Sequence, residues 1–433
     1  MLYVRDTPKH DLVVRGARVL DSARLIDAVL DVRVDNGVIA AVGERVDANG
    51  HRVVDGTGLV LAPAFVDPHV HLRTPGREDE ETIASGTRAA AAGGFCAILA
   101  MPNTEPVVDS AAVLGALIEQ ARGEAEVPVG FLAAISKGQD GGELTEMGEL
   151  ADVGAAGFSD DGRPVVSPGL MRRALQYSAV AGRTVAVHCE EPSLSRAGQM
   201  HEGAVSAELG FTGYPGVAES LMVGRDVALA AYDERPVHIL HVSARESVEE
   251  LRVAQANGVQ ATGEVTPHHL VLTDEAVRSL ESNVKMNPPL RSEDDRQALI
   301  AALRDGTICA VATDHAPHAR HEKEVPFEEA PFGVTGLETA FAALNTHLVE
   351  PGVIPLPTLL ERLSAGPARV YGLEAPRIEP GAQANLVLLD TGAEWVVRED
   401  GFRSLSANSW LLGQMLKGRV RLTVADGRVV HEA

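Results

Sequence analysis

Between about residues 61 and 370, eight apolar runs alternate with Ala/Leu-rich segments of helical period, and this alternation constrains the fold more than any other feature. The runs are LVLAPAFVDPHVH, FCAILAMPN, VPVGFLAAIS, GAAGFSDDG, TVAVHCEE, PVHILHVS, VQATGEVTPHH and ICAVATDHAPH. Segments such as AAVLGALIEQARG, MRRALQYSAVAG and SVEELRVAQANG fit helices between them. Eight β/α units in one continuous block predict an α/β fold, a closed (β/α)8 TIM-type barrel. The open doubly wound alternative lacks its glycine-rich phosphate loop after the first strand.

The flanks read differently. DLVVRGARVLDSARLIDAVLDVRVDNGVIAAVG is a series of short strands broken by Gly, Asp and Asn turns. The C-terminal stretch repeats the pattern through ANLVLLD, EWVVRED and RVRLTVADGRVVHE, the last with an Asp-Gly hairpin signal. Residues 1–60 plus 371–433 are therefore expected to form a small composite β-sandwich beside a barrel domain of residues 61–370.

Net charge bears on partners. The chain carries 61 acidic and 38 basic residues, a formal charge of −23, which disfavours nucleic acid and anionic membrane. An anionic small molecule stays compatible, because fields from exposed charges fade over a Debye length of about 8 Å and a cationic pocket can win locally. No apolar stretch is long enough to span a bilayer and the first residues lack a signal-peptide core, so a cytoplasmic location is expected. Cys96, Cys189 and Cys309 sit in apolar runs without CxxC spacing and read as small buried hydrophobes, not a disulfide framework.

In a β/α barrel the chemistry lies at the carboxyl ends of the strands. Here those ends carry His69 and His71, Asn103, Asp160 and Asp161, His188, His241, and Asp314. Residues i and i+2 share a face of a strand, so His69 and His71 project together, as a metal site requires. Each signal alone has a bland reading: HxH can be incidental, Asp-Asp-Gly can be a turn, and Asp314 can cap a helix. Their convergence on one mouth favours chemistry. Four histidines and two aspartates exceed what one tetrahedral ion needs, which suggests two divalent metals, with zinc favoured by the imidazoles. Such a pair lowers the pKa of water from about 15.7 to near neutrality, and Asp314 is then the natural proton shuttle. At HILH, His241 lies nearer the strand end than His238 and is preferred. His268, His269 and His315 are given supporting or packing roles, and His201 and His321 are read as surface residues.

FVDPHVHLR, MPNTEP, SDDG, VHCE, HILHVS, NPPLR, TDHAPH and PFGVTGLE, in this order, resemble the amidohydrolase superfamily, and within it the class I dihydroorotases. IEPGAQANLVLLD and the VADGRVV end extend the resemblance over essentially the whole chain. It implies His69 and His71 on one zinc and His188 and His241 on the other, two ions per subunit. Asp161 would bridge them, and Asp314 would be both a ligand and the catalytic acid/base. It further implies that His71, Arg73, Asn103, Asn287 and His318 face the substrate, with the backbone at Phe332 and Gly333 closing over it. The implied reaction is the reversible hydrolysis of (S)-dihydroorotate to N-carbamoyl-L-aspartate in pyrimidine biosynthesis. A homodimer and a complex with aspartate carbamoyltransferase are the implied partners.

Many amidohydrolases bridge their metals with a carboxylated lysine at the end of strand four. No lysine occurs between Lys137 and Lys285, which counts against a hydantoinase or allantoinase. A non-catalytic partner of the carbamoyltransferase should have lost metal ligands, and this chain keeps all six. HARHEKEVPFEEAPFG, residues 318–333, reads either as a solvated loop or as a lid.

Overall fold

The computed structural model describes residues 1–433. Eight parallel strands follow one another round the barrel: β1 (Phe65–Val70), β2 (Phe95–Ala100), β3 (Val129–Ala133), β4 (Gly157–Ser159), β5 (Val185–Val187), β6 (Val237–Ile239), β7 (Ala261–Val265) and β8 (Ala310–Val311). The ring closes just beyond β8, where Val70 bridges His315 and His71 N donates to His315 O at 2.8 Å. Each of the eight apolar runs supplies one barrel strand. The strands are shorter than the runs, so most of the polar residues lie past the last strand residue, on backbone free to turn inward.

Helices between the strands cover the outside. Ala111–Glu124, Pro168–Ala181 and Arg245–Ala256 coincide with the segments of helical period. Local signals set their ends: Ser292 accepts from Asp295 N while the Asp295 carboxylate accepts from Ser292 N, a capping box opening helix Glu293–Asp305. Gly306 stops that helix at φ +94°, a conformation that suits glycine.

Alternate strand residues serve two cores. Ile98 belongs to the large cluster that includes Phe65, Phe158 and the helix faces. Leu99 joins Leu132, Ala186, Leu240 and Tyr371, a smaller plug drawn from successive strands beneath the site. The long run 59–71 divides between two sheets. Residues Val60–Pro63 pair antiparallel with Leu386–Leu389, and from Phe65 onward the chain enters the barrel, with Ala64 N donating to Asn385 O and Phe65 N to Gly94 O, both at 3.0 Å.

The second sheet unites both ends of the chain. Its strands include Leu12–Asp21, Ile26–Asp35, Val38–Gly43, Val60–Pro63, Leu386–Val396, Met415–Ala425 and Arg428–Glu432. It folds over so that Ile39 N donates to Ala382 O at 2.9 Å, enclosing Leu12, Val14, Val32, Ile39, Leu61, Leu388 and Leu422. Cys96 and Cys189 are buried, whereas Cys309 is half-buried, a little more open than its apolar run suggests. No helix is long and apolar enough to cross a membrane.

Candidate metal centre and active site

Four imidazoles and two carboxylates meet at the mouth, all buried. His71 Nε2 lies 3.0 Å from Asp314 Oδ1, and His69 Nε2 lies 3.4 Å from the same oxygen. Asp161 sits among them, 3.5 Å from both His69 Nε2 and His71 Nε2 and 3.3 Å from His241 Nε2. His188 Nδ1 approaches His241 Nε2 to 2.9 Å and Asp161 Oδ1 to 3.8 Å. Two groups of donor atoms among these residues fall within metal-binding reach: His69, His71 and Asp314, and His69, Asp161 and His241.

Three of these imidazoles are held from behind. His69 Nδ1 donates to Glu264 Oε1 at 2.7 Å, His71 Nδ1 to Asn103 Oδ1 at 2.9 Å, and His188 Nε2 to Glu190 Oε2 at 3.0 Å. In the neutral tautomer each such bond leaves the other ring nitrogen bare and pointing into the mouth. The front nitrogen of His69 is buried without a hydrogen-bond partner, facing two carboxylates. Lone pairs aimed at carboxylate oxygens require a cation between them, so the donor set fits divalent metal. Burial works against charge on His69, yet Asp161 and Asp314 hold its pKa well above the usual value. Burial likewise disfavours the charged carboxylates, and the facing histidines nonetheless draw Asp161 and Asp314 below the usual range.

The backbone delivering these groups is unusual. Arg73, His241 and Asp314 have φ of +57°, +32° and +47°, the left-handed region that non-glycine residues avoid. His241 therefore reaches the mouth through a turn after β6, beyond the last strand residue Ile239. His238 points elsewhere, its Nε2 donating to Glu264 Oε2 at 3.0 Å and its Nδ1 lying 2.8 Å from Thr262 Oγ1. Asp160 also turns away, accepting from Ile135 N at 2.7 Å and Ser136 N at 3.1 Å, while burial pushes its pKa up to about 6.

A cavity of about 380 Å³ opens above the imidazoles. His71, Arg73, Asn103, Asp161, His188, His241, Asn287, Asp314, His318, Phe332 and Gly333 all line it. Arg73 is braced by Glu80, with Nε 2.9 Å from Oε2, and donates to Pro317 O at 3.0 Å. His318 Nε2 donates to Phe332 O at 2.8 Å. Asn287 Nδ2 donates to Glu190 at 3.1 Å, which leaves its buried Oδ1 without a partner. Glu80 and Glu322 also approach His318, but Arg77 lies 2.9 Å from each carboxylate and supplies the cation there.

Sequence reasoning missed three carboxylates. Glu264 receives His69, His238 and His241 N, and those bonds outweigh its burial to bring its pKa to about 2. Glu190 and Glu80 brace His188 and Arg73 from behind. The available signals were a glutamate inside the apolar run VQATGEV and another two residues after His188. His201 corrects a second expectation: it is half-buried beside Arg291, Nδ1 to Nη1 3.3 Å, and burial drives its pKa down to about 4. His321 is exposed.

A barrel whose mouth gathers imidazoles and aspartates around bare nitrogens defines a metal-dependent hydrolase. A family model described as dihydro-orotase-like matches residues 58–247. A dihydroorotase of Geobacter metallireducens is 46% identical over 98% of this chain and 100% of its own length. One of Syntrophus aciditrophicus is 44% identical over 97% and 99%. Among solved structures, an L-hydantoinase (dihydropyrimidinase) of Arthrobacter aurescens superposes with a TM-score of 0.87 at 26% identity, covering 98% of this chain and 96% of that one. The chain belongs to the dihydroorotase family, and it is a cyclic amide hydrolase.

Proposed function

We propose that this enzyme hydrolyses (S)-dihydroorotate reversibly to N-carbamoyl-L-aspartate, using two zinc ions per subunit. One observation carries the reading: Arg73, Asn103 and His318 share a cavity with His71, His188, His241, Asp161 and Asp314, so an anion grip and a hydrolytic centre face each other. The strand-four position holds aspartates, and Lys137 is exposed and paired with Glu143 at 2.8 Å, which separates the site from a lysine-bridged one.

His69, His71 and Asp314 would hold one ion, His188 and His241 the other, with Asp161 between them. When bound, the ions supply Lewis acidity, polarising a ring carbonyl and lowering the pKa of water. Arg73 grips the substrate carboxylate in a bidentate pair, its direction fixed by Glu80. Asn103 uses its Oδ1 on His71 and so presents its amide N–H to the substrate, whereas Asn287 presents an oxygen to a ring N–H. Asp314 takes the proton from the attacking water and passes it to the ring nitrogen as the amide C–N bond breaks. The same carboxylate serves ring closure in reverse. Phe332 and Gly333 cap the bound ring.

The reading extends to the expected division into a barrel domain at 61–370 and a sandwich from 1–60 and 371–433, with the boundary moved past Pro63, whose strand pairs with the second sheet. It includes a cytoplasmic enzyme, a homodimer, and association with an aspartate carbamoyltransferase, for which light scattering with and without that protein is the check. The functional test is dihydroorotate hydrolysis by the purified protein with zinc removed and restored, beside Asp314→Asn. Zinc-dependent turnover that disappears in the variant is expected. Turnover surviving in the variant removes Asp314 from its role, and a zinc-loaded wild type inert toward dihydroorotate sinks the reading.

A further inference from the structure

We propose that Lys285 and Lys323 act together as positioning residues that hold the segment Phe327–Gly333 over the substrate and thereby set its KM. This rests on the dihydroorotase reading above and adds two residues to it.

The chain has five lysines, and three of them make ordinary surface ion pairs: Lys9 with Asp426, Lys137 with Glu143 and Lys417 with Glu350. Lys285 and Lys323 are buried and pair with backbone instead. Lys285 Nζ donates to Phe327 O at 2.7 Å and Glu328 O at 3.0 Å, and lies 4.9 Å from the centre of the Phe332 ring. Lys323 Nζ donates to Pro331 O at 2.7 Å and Ser282 O at 3.2 Å. The backbone completes the stitch, with Gly333 N donating to Lys285 O at 2.9 Å and Ser282 Oγ to Lys323 O at 2.6 Å.

These bonds join residues 282–287, which carry Asn287, to residues 318–333, which carry His318 and the Phe332–Gly333 cap. Phe327 already anchors the segment in its own apolar cluster with Met200, Val205 and Val277. Lys285 reinforces that anchor at Phe327 and Glu328 and reaches the Phe332 ring, while Lys323 acts further along at Pro331; Pro331 and Phe332 line the cavity. Burial, with Lys285 and Arg73 nearby, pushes Lys323 down to about 7. An uncharged amine still keeps two N–H donors, so both carbonyl bonds persist in either protonation state. The segment is thus neither a solvated loop nor a free lid, because its substrate end is tied down.

The test uses Lys285→Met and Lys323→Met in the zinc-loaded enzyme. Losing these bonds to the cap should raise KM for dihydroorotate about tenfold while kcat moves less than about twofold. Amide exchange of residues 328–333 should quicken in both variants. Lys323→Cys alkylated with bromoethylamine, which restores an amine at nearly the native reach, should recover KM, with alkylated wild type as control. Unmoved KM in both variants overturns the inference, as does a fall in kcat and melting temperature that the restored amine leaves unchanged. A wild type inert toward dihydroorotate overturns the functional reading instead, and the exchange measurement then still decides the clamp: unchanged protection of 328–333 refutes it.

Discussion

Replacing Glu264 with glutamine isolates the support behind the proposed metal centre. Glu264 is fully buried on β7 and receives His69 Nδ1 at 2.7 Å, His238 Nε2 at 3.0 Å and His241 N at 3.3 Å. Glutamine keeps the shape and one acceptor, but its amide N–H2 must face one of the two imidazole N–H groups. Whichever imidazole it faces, His69 loses its charge-assisted bond and keeps at best a weaker one to a neutral amide oxygen, so its ring is held less firmly. A hydrogen bond to a charged group is worth about 1.5–3 kcal/mol, which at about 1.4 kcal/mol per decade is about 10–100-fold in affinity. That range agrees with the loss, also about 10–100-fold, seen when partners behind metal ligands are removed. The assay is zinc affinity by competition with a chromophoric chelator, with apo-protein melting measured in parallel. A zinc Kd within about twofold of wild type would refute the claim that Glu264 presets His69.

Other perturbations separate neighbouring residues. Asp161→Asn should abolish tight zinc binding, whereas Asp160→Asn should keep the metal and lower stability by about 1–3 kcal/mol in denaturant titrations, because it weakens bonds to Ile135 N and Ser136. Arg73→Lys cannot hold Glu80 and a bidentate carboxylate together, so KM for dihydroorotate should rise about 10–100-fold in steady-state kinetics with metal content unchanged. Burial raises Asp226 to about 6, with Arg225 opposing, so the folded state holds a proton that the unfolded chain releases near pH 4. Its contribution to stability is therefore present below about pH 4 and is lost as pH rises towards about 6, and Asp226→Asn should flatten the pH dependence of unfolding across that window by up to about 3 kcal/mol.

The barrel was legible because every stave is a buried apolar run, and six of the eight end in a residue suited to chemistry. The proposed metal ligands were legible for the same reason: His69, Asp161, His188 and Asp314 interrupt sequences that are otherwise built for a core. The divided use of residues 59–71 was not, since both halves are equally apolar and only the pairing partners differ. Glu264 stayed hidden because its role is defined by what it touches across the barrel, meeting His69 from 195 positions away, whereas Glu190 and Glu80 lie near His188 and Arg73 in sequence but on loops whose path the pattern does not show. Nearness to the strand end pointed to His241 and the resemblance to Asp161, but left-handed backbone at His241 and strand ends at Ser159 and Ile239 do the placing. The buried lysines under the cap were counted in the sequence for their absence elsewhere, and their own positions gave no hint of burial.

The fold is shared with hydantoinases, so the central claim is one of substrate, and relative turnover tests it most directly. The zinc-loaded protein should be given dihydroorotate and, separately, hydantoin, which lacks the carboxylate that Arg73 is placed to grip. A site built around that carboxylate should favour dihydroorotate in kcat/KM by about a thousandfold or more. Equal turnover of the two, or a preference for hydantoin, would contradict it.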